Sequence, residues 1–186
     1  MSGPAVDRQL PRGVAALPEG GSVHVHFDGA CEEVRGLRVA AYGYTLEGAG
    51  YAHEEYGLAV PPGHPRATNN TAEYVGAICA LEWLTGQGYR GEVRLAGDSQ
   101  LVIRQMTGEY RVLSEGLRPY HERLVQLAGG FRRVEYVWVP REENTRADEL
   151  SKQGISLGRP VRRSAARPSE PDVKTDALPD DGEDDG

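Results

Sequence analysis

The sequence predicts an α/β domain in which helices flank a five-stranded mixed sheet, with the element order βββαβααβα. Three observations predict this fold class. The first third of the chain alternates apolar and polar residues at the two-residue period of strands, and later segments show the 3.6-residue period of amphipathic helices. Two single β-rich runs lie between helical segments, and strand–helix–strand connections favour parallel neighbours. The fourth and fifth strands should therefore run parallel to the first, while the second runs antiparallel between the first and the third.

Three strands are predicted before any helix. In the first strand, from about Ser22 to Asp28, the apolar residues Val23, Val25 and Phe27 share one face. Two further β-rich runs flank a Glu-Gly-Ala-Gly turn signal, so we expect an antiparallel pair; they span Leu37–Leu46 and Tyr51–Ala59.

The rest of the domain is predicted to contain four helices and two single strands, with two helices in succession between the strands. Apolar residues at helical spacing, glycines after the last turn and β-branched runs set the predicted bounds. These are helix Thr71–Thr85, strand Val93–Asp98, helix Ser99–Met106, helix Leu117–Ala128, strand Val134–Val139, and a last helix that Asn144 caps and that ends before Gly158.

Composition and charge exclude several classes of protein. The chain has 186 residues, a formal net charge of −7 and two cysteines, which argues against a disulfide framework and against a strongly cationic surface. No apolar run approaches the length of a membrane span. We therefore expect a cytoplasmic monomer with one domain, residues 21–158, between a flexible arm, residues 1–20, and a disordered tail, residues 159–186, that is rich in Arg and Pro and then acidic.

Four acids lie where a predicted element starts or stops. Each has a local structural explanation: Asp28 precedes Gly29 in a turn signal, Asp98 precedes a helix that Ser99 would cap, and Asp148 in a first helical turn would interact well with the helix dipole. The fourth acid, Glu73, follows Asn70 by three residues, which is the spacing of a capping box.

Together the four acids predict a metal site. Asp28 and Asp98 would end neighbouring parallel strands, and the first and last helices would bring Glu73 and Asp148 to the same edge of the sheet. Clustered carboxylates need cations, and Mg²⁺ prefers oxygen ligands. Two Mg²⁺ ions about 3.5–4 Å apart recur in enzymes that cleave phosphodiesters, with Mn²⁺ as a possible substitute.

The four segments that carry these acids resemble the motifs of ribonuclease H type 1, in the same order. They read FDGAC from Phe27, TNNTAE from Thr68, GDSQ from Gly97 and NTRADEL from Asn144. The resemblance covers residues 22–157. It implies a two-metal endonuclease that cuts the RNA strand of an RNA/DNA hybrid and leaves 5′-phosphate and 3′-hydroxyl ends, with Asp28, Glu73, Asp98 and Asp148 as metal ligands.

The same resemblance implies substrate contacts. Cys31, Asn69, Asn70 and Gln100 match positions that contact nucleotides in the minor groove, where the 2′-hydroxyl distinguishes RNA from DNA. Gly29 and Ser99 are candidate contacts next to them, and Gly29 would permit a close approach.

The sequence departs from the family pattern in three places. The residues Glu32–Gly36 replace a loop rich in glycine and proline, and no basic insertion lies between Met106 and Leu117. The loop before Asp148 lacks a histidine, and Arg141 or Arg146 would partly replace it by binding phosphate. Two alternatives follow: a hybrid- or RNA-binding module with weak or no catalysis, or a nuclease of the same fold that acts on double-stranded RNA or RNA–DNA junctions.

Overall fold

The computed structural model describes residues 21–158, so the predicted arm and tail lie outside the described residues. Its elements are β1 (Ser22–Val34), β2 (Leu37–Gly48), β3 (Tyr51–Leu58), α1 (Asn69–Gly86), β4 (Glu92–Gly97), α2 (Gln100–Met106), α3 (Arg118–Ala128), β5 (Arg133–Trp138) and α4 (Thr145–Leu157), with a short 3₁₀ turn at Arg141–Glu143. None of these helices is long and apolar enough to cross a membrane.

The five strands form one mixed sheet in the order β3-β2-β1-β4-β5. Strand β1 pairs in parallel with β4, which pairs in parallel with β5, and β2 lies antiparallel between β1 and β3. The predicted fold class, element order and strand directions are therefore confirmed.

Strand β1 is longer than the sequence predicted. It does not end at Asp28 but continues to Val34, because its second half pairs with β2 up to the Val34–Leu37 pair. Arg35 and Gly36 join the two strands with φ values of 54° and 80°, as a two-residue hairpin turn of type I′ requires. The predicted turn at Asp28 and Gly29 is therefore wrong.

Asp28 nevertheless lies at a boundary within the sheet. The parallel pairing of β1 with β4 ends at the pair Phe27–Gly97, so Asp28 and Asp98 are the first residues beyond it. Past this point β1 keeps only β2 as a neighbour, and a gap opens between β1 and the end of β4. The two acids lie at the mouth of this gap.

Helices cover both faces of the sheet. Alternate residues of β2 point to opposite faces: Tyr42 and Tyr44 join the main core with α1, α2 and α3, whereas Val39 and Ala41 pack against Ile155 of α4. Gly43 allows α4 to lie directly on β2, because a Cβ at this position would be 2.5 Å from the backbone nitrogen of Ser151. Glu73 of α1 and Asp148 of α4 therefore approach the gap from opposite faces.

Candidate active site

Three carboxylates meet at the gap between β1 and β4. One oxygen each from Asp28, Glu73 and Asp98 lies within 4.8 Å of the other two. Asp28 and Glu73 are 5% and 8% exposed, so solvent screens their charges poorly. Residues from β1, from α1 and from the turn after β4 thus form one acidic cluster.

Glu73 does not serve as a helix cap. Thr68 caps α1, and its Oγ1 accepts a hydrogen bond of 3.1 Å from the backbone nitrogen of Thr71. The capping-box position therefore belongs to Thr71, and the capping explanation of Glu73 is wrong. Glu73 Oε2 has no hydrogen-bond partner among residues 21–158, although it is buried.

Two acids of the cluster, Asp28 and Glu73, have raised pKa values. Burial is the main reason why the pKa of Asp28 is raised to about 6; Ser151 lowers it, and Asp98 and Asp148 raise it further. Burial, followed by the charges of Asp28 and Asp98, raises the pKa of Glu73 well above its ordinary value. Buried carboxylates at this spacing, one with an oxygen that lacks a partner, fit a hard divalent cation, which would compensate their charge.

Asn144 has a role that the sequence did not reveal. It occupies the N-cap position of α4 as predicted, but its side chain makes no capping hydrogen bond. Instead, Nδ2 donates to the backbone oxygen of Phe27 at 2.9 Å and to Asp98 Oδ1 at 3.0 Å, and the residue is 1% exposed. Asn144 thus fixes Asp98 relative to β1, and its location at a helix start, where asparagine is common, concealed this function.

Asp148 lies beside the cluster and forms ion pairs with two basic side chains. Arg141 Nη2 donates to its Oδ1, and Lys152 Nζ lies 2.5 Å from its Oδ2. Burial alone would raise the pKa of Asp148, but Lys152 and Arg141 outweigh it and hold the pKa below its usual value. Asp148 is not one of the three carboxylates within 4.8 Å of one another, although it borders the same cavity. The sequence does not predict a role for Lys152, which lies four residues after Asp148.

The candidate substrate contacts fall into two groups. Gly29, Cys31, Asn69 and Arg141 line the cavity of about 200 Å³ that holds the acids. Asn70 instead lines a larger cavity of about 720 Å³, together with Gln105 and Tyr110. Ser99 caps α2 by accepting from the backbone nitrogen of Val102, and Gln100 is exposed in the first turn of that helix. Arg146 lies outside the acidic cavity, where it binds Glu54 and Glu149.

Gly29 lies in backbone contact with α1. A Cβ at this position would lie 2.2 Å from the backbone nitrogen of Glu73 and 2.6 Å from the carbonyl carbon of Ala72. We expect Gly29→Ala to destabilise the fold by about 1–3 kcal/mol, the usual cost of overpacking, and to displace Glu73. Thermal unfolding followed by circular dichroism measures this loss.

Gly86, at the end of α1, offers the matched control, because a Cβ there meets nothing within 4 Å. Gly86→Ala should leave stability unchanged or raise it slightly, since alanine is the better helix former. Equal stability of the parent and Gly29→Ala proteins would show that β1 and α1 are not held in this contact.

Comparisons with known proteins agree with the fold. A family model described as reverse transcriptase-like matches residues 54–154. Ribonuclease HI of Halobacterium salinarum is 39% identical over 137 residues, which cover 73% of this chain and 65% of that protein. A bifunctional protein of Mycobacterium tuberculosis is 39% identical over 106 residues, or 57% of this chain and 28% of that protein. The chain thus spans less than two thirds of the length of these two relatives.

Two further proteins match over nearly their whole length. Ribonuclease H of Halorhodospira halophila is 33% identical over 153 residues, which cover 73% of this chain and 93% of that protein. The crystal structure of LC11 ribonuclease H1 in complex with an RNA/DNA hybrid has a TM-score of 0.63 and 30% identity, and the match covers 73% of this chain and 97% of that one. The motifs, the sheet order and these similarities together show that the chain belongs to the type 1 ribonuclease H family.

Proposed function

We propose that this protein is a metal-dependent endoribonuclease that hydrolyses the RNA strand of RNA/DNA hybrids and leaves 5′-phosphate and 3′-hydroxyl ends. The observation that carries the proposal is the buried cluster of Asp28, Glu73 and Asp98, whose oxygens lie within 4.8 Å of one another. Membership of the ribonuclease H family and the hybrid bound to the similar LC11 enzyme support the substrate class.

Asp28, Glu73, Asp98 and Asp148 are the residues that would hold the metal. Two Mg²⁺ ions, or Mn²⁺ in their place, would supply an activated water and stabilise the charge on the leaving oxygen. The protein's own contribution is to hold the ligands: Asn144 binds Asp98, and Arg141 and Lys152 keep Asp148 ionised at the edge of the cluster. This arrangement suits the hydrolysis of a phosphodiester placed over the cavity.

Some of the candidate substrate contacts line that cavity, and the others lie at the starts of helices. Cys31 and Asn69 lie on its wall, and Asn70, Ser99 and Gln100 lie at the starts of α1 and α2. We propose that they bind the minor groove of the hybrid, where 2′-hydroxyls mark the RNA strand. The monomeric state and the cytoplasmic location stay predictions.

Arg141 is the better candidate to replace the absent loop histidine. It borders the acidic cavity, whereas both partners of Arg146 lie outside it. We expect Arg141→Gln to slow cleavage of a hybrid roughly 10- to 100-fold, because a hydrogen bond to a charged group contributes about 1.5–3 kcal/mol. Single-turnover cleavage at saturating Mg²⁺ measures the effect.

Arg146→Gln is the matched control and should change that rate less than about twofold, since exposed ion pairs contribute little. The affinity for the hybrid in chelator distinguishes two causes of slow cleavage by Arg141→Gln. Lost phosphate binding would weaken this affinity, whereas an effect through Asp148 alone would leave it unchanged. If Arg146→Gln cleaved slowly and Arg141→Gln cleaved at the rate of the parent, Arg146 and not Arg141 would be the residue that replaces the histidine.

Cleavage of labelled duplexes tests the function itself. The protein is incubated with an end-labelled RNA/DNA hybrid, double-stranded RNA or DNA, in Mg²⁺, Mn²⁺ or chelator, and the cuts are mapped. We expect internal cuts in the RNA of the hybrid that chelator abolishes. Retention of the hybrid without cuts would favour a binding module, better cleavage of double-stranded RNA would favour the other nuclease, and cleavage in chelator would contradict a metal-dependent reaction.

A further inference from the structure

A wholly buried serine contacts the central acid of the cluster. Ser151 lies in α4, three residues after Asp148, and is 0% exposed. Its hydroxyl donates to Asp28 Oδ2 and also lies 2.9 Å from the backbone oxygen of Asp148. A hydroxyl has a single proton, and an ionised carboxylate is the stronger acceptor, so the proton points to Asp28.

The packing of α4 on the sheet makes this contact possible. Asp28 pairs with Gly43 across the β1–β2 ladder, and Gly43 is the residue on which the backbone of Ser151 lies. With no side chain at Gly43, α4 lies close enough to β1 for a side chain as short as serine to reach Asp28. The hydroxyl therefore connects the strand that carries Asp28 to the helix that carries Asp148.

We propose that Ser151 is a positioning residue for metal binding, which holds the Asp28 carboxylate in the orientation that meets Glu73 and Asp98. This inference rests on the proposed function, because it assigns a second layer of support to the same metal site. Asn144 provides the equivalent support for Asp98, so two of the three clustered acids are each fixed by a buried side chain. Partners of this kind hold metal ligands in place, and their loss typically costs about 10- to 100-fold in metal affinity or activity.

Ser151→Ala tests the proposal, and Ser156→Ala is its matched control. Ser156 lies in the same helix, and its hydroxyl likewise lies close to the carbonyl three residues before it, at 2.6 Å from the backbone oxygen of Gln153, but it is exposed and contacts no acid of the cluster. Two quantities are compared: the affinity for Mn²⁺ measured by titration calorimetry without nucleic acid, and the Mg²⁺ concentration that gives half-maximal cleavage of a hybrid.

We expect Ser151→Ala to weaken Mn²⁺ binding and to raise the half-maximal Mg²⁺ concentration about tenfold or more, while KM for the hybrid at saturating Mg²⁺ stays unchanged. Ser151→Cys, of similar volume and with a weaker donor, should fall between the parent and the alanine variant, and it replaces the alanine variant if that protein does not fold. Ser156→Ala should match the parent in both quantities.

Unchanged metal affinity in Ser151→Ala would overturn the proposal, even if the protein melts at a lower temperature, because a purely structural serine affects stability alone. Failure of the proposed function gives a different result. A parent protein that binds Mn²⁺ but cuts no duplex would contradict the nuclease, whereas the calorimetric comparison of the two serine variants would still decide the role of Ser151.

Discussion

Asp98→Asn is expected to reduce cleavage of an RNA/DNA hybrid by about 1000-fold or more while the fold stays intact. The substitution removes a negative ligand from the cluster, and the electrostatic contribution of a catalytic metal amounts to several kcal/mol, at about 1.36 kcal/mol for each factor of ten. The fold should persist because an asparagine oxygen still accepts the hydrogen bond that Asn144 Nδ2 donates to Asp98 Oδ1. Single-turnover cleavage and circular dichroism measure the two effects.

Glu149→Gln serves as the control for Asp98→Asn, since Glu149 neighbours Asp148 in the sequence but is exposed and paired with Arg146. This variant should cleave at the rate of the parent. The Asp98→Asn protein should still bind the hybrid, because the proposed substrate contacts remain. Full activity of Asp98→Asn in Mg²⁺ would contradict the assignment of Asp98 as a metal ligand.

Asp28→Asn should abolish the proposed cleavage of a hybrid and yet stabilise the metal-free protein at neutral pH. The pKa of Asp28 is about 6 in the folded protein and 3.8 in an ordinary aspartate, chiefly because of burial. Below about pH 4 the carboxyl is protonated in both states, and between about pH 4 and 6 only the folded state holds the proton. Stability therefore falls as the pH rises through this window, by roughly 3 kcal/mol for a shift of about two pKa units.

Asparagine does not ionise, so the stability of the variant does not fall in this way as the pH rises. In chelator at pH 7.5 we expect it to melt several degrees above the parent, and the difference should shrink as the pH is lowered towards 4. Mg²⁺ should raise the melting temperature of the parent but not of the variant, because only the parent binds the ion. Glu33 is an exposed acid of the same strand, so Glu33→Gln controls for the loss of one negative charge. If Glu33→Gln stabilised the protein as much as Asp28→Asn does, the effect would come from the change in net charge and not from the burial of Asp28.

Much of the fold follows from local pattern. The alternation of Val23, Val25 and Phe27 correctly predicts the buried face of β1, and the crossover rule predicts the directions of β4 and β5. The length of β1 was not predictable in this way, because the signal Asp28-Gly29 resembles a turn. The actual turn contains Arg35, a residue that rarely adopts a positive φ. The hydrogen-bonded pairing of β1 with β2 therefore outweighs the local turn preference of Asp28-Gly29.

The acids were predictable and their supporting residues were not. The sequence predicts that all four acids converge because element ends meet at one edge of a sheet; the structure brings Asp28, Glu73 and Asp98 together and places Asp148 beside them. The contacts of Asn144 and Ser151 with the acids are not predictable from the sequence, because an asparagine at a helix start and a serine within a helix are common without any role at a site. Their functions depend on which backbone passes nearby, and this becomes visible only once α4 is placed on β2.

The contact of Gly29 with α1 has a consequence for the entropy of ion binding. Strand β1 and helix α1, which carry Asp28 and Glu73, are in backbone contact, since a Cβ at Gly29 would lie 2.2 Å from the backbone nitrogen of Glu73. The spacing between these two segments therefore does not depend on the rotation of any side chain. Long side chains lose as much as about 1.5–2 kcal/mol each when they are ordered, whereas a rigid frame has already lost that freedom on folding. A bound ion would therefore meet acids carried on backbones whose ordering occurred when the chain folded, and its binding should perturb the backbone of β1 and α1 very little.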